Sequence, residues 1–274
     1  MQSYSYFKKL AKKSLQGNFV KCIIAFLFVS LLPTLTSAIN TRFSEYTVPV
    51  AVTGLISSLI LIPCFKMGAI EYLFETIRKN KPPLGNMFNG FKYIFKLIPV
   101  GIARLISFLP LIIVSIVLIN MLPKETMDIL TEYYNNPSDA EILNAIPMIE
   151  YKTMFFLECL FIISAALSIY LNTHLSLCEY ILCNEGISGI KSVFKSIKLM
   201  NGHILYYIGF SLSFILWVLA GAFTGGISNL ILYPYQQTSY IMLYMELLYR
   251  NSGITENTKE NIENNEDTIK EDTI

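Results

Sequence analysis

The sequence predicts an all-α integral membrane protein: six transmembrane helices set as three hairpins, each preceded by an amphipathic interfacial helix. Three observations predict it. The 274 residues are 53% hydrophobic and only 15% charged, with a mean hydropathy of +0.50, a balance that water-soluble domains rarely reach. Apolar runs of the length a hydrocarbon core demands, about 20 helical residues each, recur near 20–40, 48–76, 98–120, 153–183, 203–223 and 227–249. The net charge of +1 conceals a segregation of cations onto alternate connections, and lysine and arginine in short loops set orientation.

The first span follows "FKKLAKKSLQGN", in which Lys8, Lys9, Lys12 and Lys13 precede the apolar run and Lys21 opens it. Basic residues, an apolar core and Thr36-Ser37-Ala38 also have the order of a cleavable signal peptide. The equivalence of this span to two retained spans argues against cleavage. Arg78, Lys79, Lys81, Lys92 and Lys96 lie between spans two and three. Lys191, Lys195 and Lys198 lie between spans four and five, whereas the opposite connections carry only Arg42, Lys124 and Lys152. Both termini are therefore expected in the cytoplasm.

A pattern recurs before spans one, three and five. "FKKLAKKSLQGN" from Phe7, "FKYIFKLIPVG" from Phe91 and "FKSIKLMNGH" from Phe194 each hold Phe-Lys, a later Lys, then Gly ahead of an apolar run. Each opens a hairpin, and an even number of spans per unit makes the repeats parallel about an axis normal to the membrane. At helical period Met87, Phe88, Phe91, Ile94 and Phe95 share one face, opposite Asn89, Lys92 and Lys96. Ile190, Val193, Phe194 and Ile197 repeat the arrangement against Lys191, Lys195 and Lys198. Such helices are expected to lie in the interface with their lysines among anionic headgroups, each adding about 1 kcal/mol. Lys92, Lys96, Lys191, Lys195 and Lys198 are thus candidate contacts for anionic lipid.

Two segments lie outside the spans. Residues 121–152 form the longest external connection, rich in acidic residues and with the capping-box pattern Ser138-Asp139-Ala140-Glu141. The tail 251–274 is acidic and nearly free of large apolar residues, and is expected to be disordered and cytoplasmic.

"GIKSVFKSIKLMNGHILYYIGFSLSFILWVLAG" followed by "GGISNLILYPYQQTSY", with the amino-terminal "KKLAKKSLQGNFVKCI", resembles the bacterial multi-pass membrane family called domain of unknown function 975. The likeness covers about the first 30 residues and 186–249. Where that family tends to have Pro-Gly in the fourth span, this chain has Leu171-Asn172-Thr173-His174. The resemblance implies a bacterial cytoplasmic membrane protein of about six spans and implies no activity.

Chemistry-bearing motifs are absent: the sequence has no GxSxG elbow, HExxH, P-loop or Gly-rich dinucleotide turn. Cys22, Cys64, Cys159, Cys178 and Cys183 form no CxxC pair, and the only histidines are His174 and His203. The cysteines read as small packing residues, and neither a disulfide framework, a metal site nor a cofactor is called for. Gly221 to Gly225 reads as close packing or the start of a turn rather than a dimer motif.

A polar cluster remains. Aligning Glu71 with Glu179 sets Lys66 against His174, and aligning Pro63 with Pro234 brings Gln237 to the same level. Lys66, Glu71, His174, Glu179 and Gln237 thus form a candidate cluster in the second spans, with Asn172 and Gln236 beside it. Ionisable groups there tend to face a bundle interior or a water-filled cavity. The competing reading of Lys66, and of Arg104, is snorkelling to the headgroups; that of His174 and Gln237 is interhelical hydrogen bonding.

A non-enzymatic scaffold or accessory protein that organises or senses lipid, or a membrane partner, is the expected function. The alternative is a transporter or lipid-handling protein using the cluster. An enzyme acting on lipid ranks third, since Glu71, Glu179 and His174 suit acid–base work but nothing fixes a nucleophile. The expected partners are the bilayer, anionic lipids and a membrane protein; no nucleic acid is expected.

Overall fold

A computed structural model describes residues 1–42, 57–78, 82–121 and 151–252, with a few positions between them. Most of the external connection, the first part of span two and the tail beyond Ser252 lie outside the described residues. The described residues are helical, with no strand among them. In order they form α1 (Tyr4–Leu15), α2 (Phe19–Arg42), a π-helical turn (Ser57–Leu61), α3 (Ile62–Ile77) and a 3-10 helix (Leu84–Tyr93). Then follow α4 (Ile94–Met121), α5 (Tyr151–His174), α6 (Cys178–Glu185), α7 (Gly189–Met200), α8 (Ile204–Leu212), α9 (Ile215–Phe223) and α10 (Ile227–Asn251).

Among the described residues, four stretches are long and apolar enough to cross a membrane: Phe19–Ala38, Leu84–Met121, Phe155–Glu185 and Ile204–Phe223. Their outward faces are apolar. Ile102, Leu105, Ile113 and Ile116 of α4 are more than half exposed, as are Ile162 and Ile163 of α5 and Leu216, Trp217 and Phe223 of α9. Exposed apolar area on this scale marks a surface built for lipid rather than for water.

The chain divides into two compact units. Residues 102–173 make one, built from α4 beyond Gly101 and from α5 up to Thr173. Residues 1–101 and 174–274 make the other. Its centre is α3, which buries Cys64, Met67, Gly68, Ala69, Ile70, Tyr72, Leu73, Phe74 and Thr76. A helix apolar on nearly every side belongs inside a bundle, and α2, α6, α10 and the 3-10 helix pack around it. Three short segments pack in a regular way: α1 on α10, the 3-10 helix on α3, and α7 on α6.

The 3-10 segment departs from the α-helical period that the sequence suggests. At three residues per turn Met87, Gly90 and Tyr93 align and are the buried residues, while Phe88 points outward at 58% exposure, as does Phe95, at the start of α4, at 81%. Glycine explains the tighter coil. A Cβ on Gly68 would sit 1.7 Å from the Met87 carbonyl oxygen, and one on Gly90 1.9 Å from that of Cys64. Two glycines facing each other let the backbones of α3 and the 3-10 helix touch.

Two apolar runs that read as continuous are interrupted. Between α5 and α6 the chain turns at Leu175, Ser176 and Leu177; between α8 and α9 it turns at Ser213 and Phe214. Neither turn holds Pro or Gly. Gly225 and Gly226, with φ of 60° and 90°, form the turn before α10, and a Cβ on Gly221 would sit 2.2 Å from the Asn229 side chain. Both close packing and a turn therefore account for that stretch.

Candidate functional site

A break in an apolar helix frees backbone groups that must be paired again where water is scarce. At the first break Ser196 of α7 does this with one hydroxyl. Its Oγ donates to the His174 carbonyl at 2.6 Å and accepts from the Leu177 N–H at 3.3 Å. At the second break the donor is Lys8 of α1. Its Nζ donates to the Ser213 carbonyl at 2.9 Å and lies 4.2 Å from the centroid of the Phe214 ring. Burial lowers the pKa of Lys8 below the usual lysine value. In both cases a segment packed beside the break supplies the missing hydrogen bond.

Restarting the helix as α6 turns Glu179 toward α3 and Tyr180 toward α10, because successive helical side chains diverge by about 100°. Lys66 Nζ lies 2.7 Å from Glu179 Oε2, with the two side chains 24% and 6% exposed. The Tyr180 hydroxyl donates to Gln237 Oε1 at 2.7 Å. The Tyr180 ring stacks on Tyr244, whose hydroxyl donates to Glu185 Oε1 at 3.2 Å and accepts from Asn184 Nδ2 at 3.2 Å. Asn184 Oδ1 accepts from Arg78 at 3.0 Å, and Lys195 pairs with Glu185 at 2.6 Å. The polar contacts thus leave two neighbouring residues of α6: Glu179 meets Lys66 of α3, and Tyr180 meets Gln237 and Tyr244 of α10, from which a run leads through Glu185 and Asn184 to Lys195 and Arg78. Such contacts can hold helices in register.

Of the sequence-derived cluster, Lys66 meets Glu179, and Gln237 is joined to it through Tyr180 on the same short helix. Glu71 is engaged elsewhere, with Lys92 of the 3-10 helix on one oxygen while its Oε2 is buried. The His174 backbone carbonyl takes the Ser196 hydroxyl, and its Nδ1 is buried. Among the candidate lipid contacts, Lys92 and Lys195 are paired with carboxylates and Lys96 donates to the Gly186 carbonyl at 2.5 Å. Lys191 and Lys198 are exposed. Tyr180, Tyr244, Glu185, Ser196 and Lys8 are additions that the structure makes. Only the last had a sequence signal, as the Lys of the first Phe-Lys pair, equivalent to Lys92 and Lys195.

Helix α7 has three faces. Gly189, Ser192, Ser196 and Leu199 are buried; Ile190, Phe194 and Ile197 are exposed at 59%, 69% and 39%; Lys191 and Lys198 project beside them. The buried face is small at Gly189, where the chain passes close by: a Cβ there would sit 2.0 Å from the Lys96 carbonyl oxygen.

Among the described residues, cavities open in the unit that contains α1. One of about 360 Å³ lies among α2, α3 and α10, lined by Phe26, Pro33, Ile62 and Tyr233. The other, of about 470 Å³, opens among α1, the start of α2, α9 and α10. No group of metal-ligating side chains occurs among the described residues.

Among the described residues, four helical stretches long and apolar enough to cross a bilayer, and helix breaks repaired by side chains, define a helical membrane protein. The chain belongs to the family described as protein of unknown function DUF975, whose model matches residues 1–251. No curated protein and no solved structure matches it.

Proposed function

We propose that the protein is a non-enzymatic membrane scaffold that organises anionic lipid, or a membrane partner, at the cytoplasmic face of a bacterial cytoplasmic membrane. The observation that carries this reading is the three-faced α7. Its apolar stripe of Ile190, Phe194 and Ile197 is left uncovered beside two exposed lysines, the arrangement of a helix seated at an acyl boundary with cations among headgroups. Six spans in three parallel hairpins, with both termini cytoplasmic, frame that reading. The packing of α1 on α10, the 3-10 helix on α3 and α7 on α6 supports it, since each is the pre-span segment of one hairpin set against the second span of the hairpin before it in cyclic order. The length of α10, 25 residues, suits a span at 1.5 Å per residue.

The transporter reading draws on the pair Lys66–Glu179 between helices. Neither cavity described above is lined by Lys66, Glu179 or Gln237.

The test is extraction of the protein from native membranes into lipid discs, with mass spectrometry of the retained lipid. Enrichment of anionic lipid over the bulk membrane is expected, and Lys191→Glu with Lys198→Glu is expected to reduce it; Lys195 is left intact because it holds Glu185. Discs whose lipid matches the bulk membrane overturn the reading.

A further inference from the structure

The second cavity has the two-part chemistry of an amphiphile. At one side stand Lys12 and Gln16 from the end of α1, both exposed; the rest is mainly apolar, with Leu15, Phe19, Trp217, Ile231 and Leu232, and takes Ser228 and Tyr235 from α10. Its volume of about 470 Å³ lies in the range of roughly 300–1,000 Å³ typical of clefts that hold small ligands. The groove is open, and its surroundings are lipid-like in demand: Leu216 is 76% and Phe223 92% exposed on the same helix as Trp217.

We propose that this groove holds one anionic phospholipid, its phosphate at Lys12 and an acyl chain along Trp217, Ile231 and Leu232. Charge selects the occupant. Residues 1–42 carry Lys8, Lys9, Lys12, Lys13, Lys21 and Arg42 and no acidic residue, and no carboxylate lines the groove. Lys12 and Lys13 also stand in the last turn of α1, where the helix dipole favours cations and holds them in place. A second copy of the chain docking here would bring a second basic α1 against the first, so like charges oppose a symmetric dimer. A zwitterionic lipid would fill the apolar part and bring no net charge to Lys12. The helical turn that sets this geometry depends on Gly17, whose φ of 83° lets α1 double back into α2.

The inference rests on the membrane reading above and names a site for it, and Trp217, the one tryptophan of the chain, reports both separately. The full-length protein is placed in discs of phosphatidylcholine containing a small fraction of phosphatidylglycerol, with dibrominated chains on one lipid or the other. Brominated phosphatidylglycerol is expected to quench Trp217 at least threefold more effectively, mole for mole, than brominated phosphatidylcholine. Lys12→Gln is expected to bring the ratio near one, Lys12→Arg to restore it, and Arg42→Gln, at the far end of α2, to leave it unchanged. Equal quenching by the two lipids in the native protein overturns the groove and leaves the membrane reading standing. Quenching by neither overturns both. A ratio that survives Lys12→Gln overturns the assignment of the phosphate to this lysine.

Discussion

Lys66 shows how far a single residue can be read. Its place in an apolar run identified it as costly, and the sequence offered two outcomes, a stem reaching the headgroups or a polar partner. The distance of 2.7 Å to a Glu179 side chain only 6% exposed gives it the partner. Removing one member of such a pair strands a charge that has lost its water, which costs about 3–5 kcal/mol for fully buried pairs. With Lys66 about a quarter exposed, Lys66→Met is expected to lower stability by about 3 kcal/mol, the low end of that range. The double variant Lys66→Met with Glu179→Met is expected to recover most of it, because no charge is then left alone. Thermal unfolding in detergent, followed by Trp217 emission, measures both; an unchanged midpoint for the single variant returns Lys66 to the headgroups. The sequence could not supply Tyr180 as the link to Gln237, since a tyrosine next to a glutamate in an apolar run has many possible neighbours.

At the scale of elements the apolar runs were legible and their interruptions were not. Leu175-Ser176-Leu177 and Ser213-Phe214 hold neither Pro nor Gly, the strongest helix punctuators, and they break where Ser196 and Lys8 are present to pair the freed carbonyls. A break of that kind depends on a side chain from another segment, so local propensity is silent about it. The 3-10 helix is a similar case: its period goes with the backbone contact between its own Gly90 and Gly68 of α3, a pairing on which local propensity is silent. Gly68→Ala and Gly90→Ala are each expected to destabilise by about 1–3 kcal/mol or more, since the colliding atoms are backbone carbonyls that cannot rotate away. Gly101→Ala, with nothing within 4 Å of its Cβ, is expected to be neutral or to gain up to about 1 kcal/mol as an exposed helical site. Yield and melting midpoint of the three variants check the contrast; equal behaviour would mean that the close approach is not required.

For the whole molecule, orientation is the property that charge alone addresses. Reporter fusions after residue 135 are expected to read external, and fusions after 85, 190 and 255 internal. An external signal at 190 rules out the six-span arrangement, and an internal one at 135 removes the first two hairpins. The sequence by itself determined that the chain is helical and belongs in a membrane, because a surplus of apolar side chains and the segregation of lysines act through solvent, which is the same for every residue in a run. It also marked Lys66, Glu179 and Gln237 as polar groups with a cost to meet. Tertiary structure alone decided how that cost is met. Which carboxylate faces Lys66, which hydroxyl bridges the break after His174, and which lysine stands at the mouth of a groove beside Trp217 all depend on directional contacts a few ångströms long between segments up to 205 residues apart. Hydropathy is a sum over neighbours in sequence, whereas a hydrogen bond is a meeting of two atoms in space.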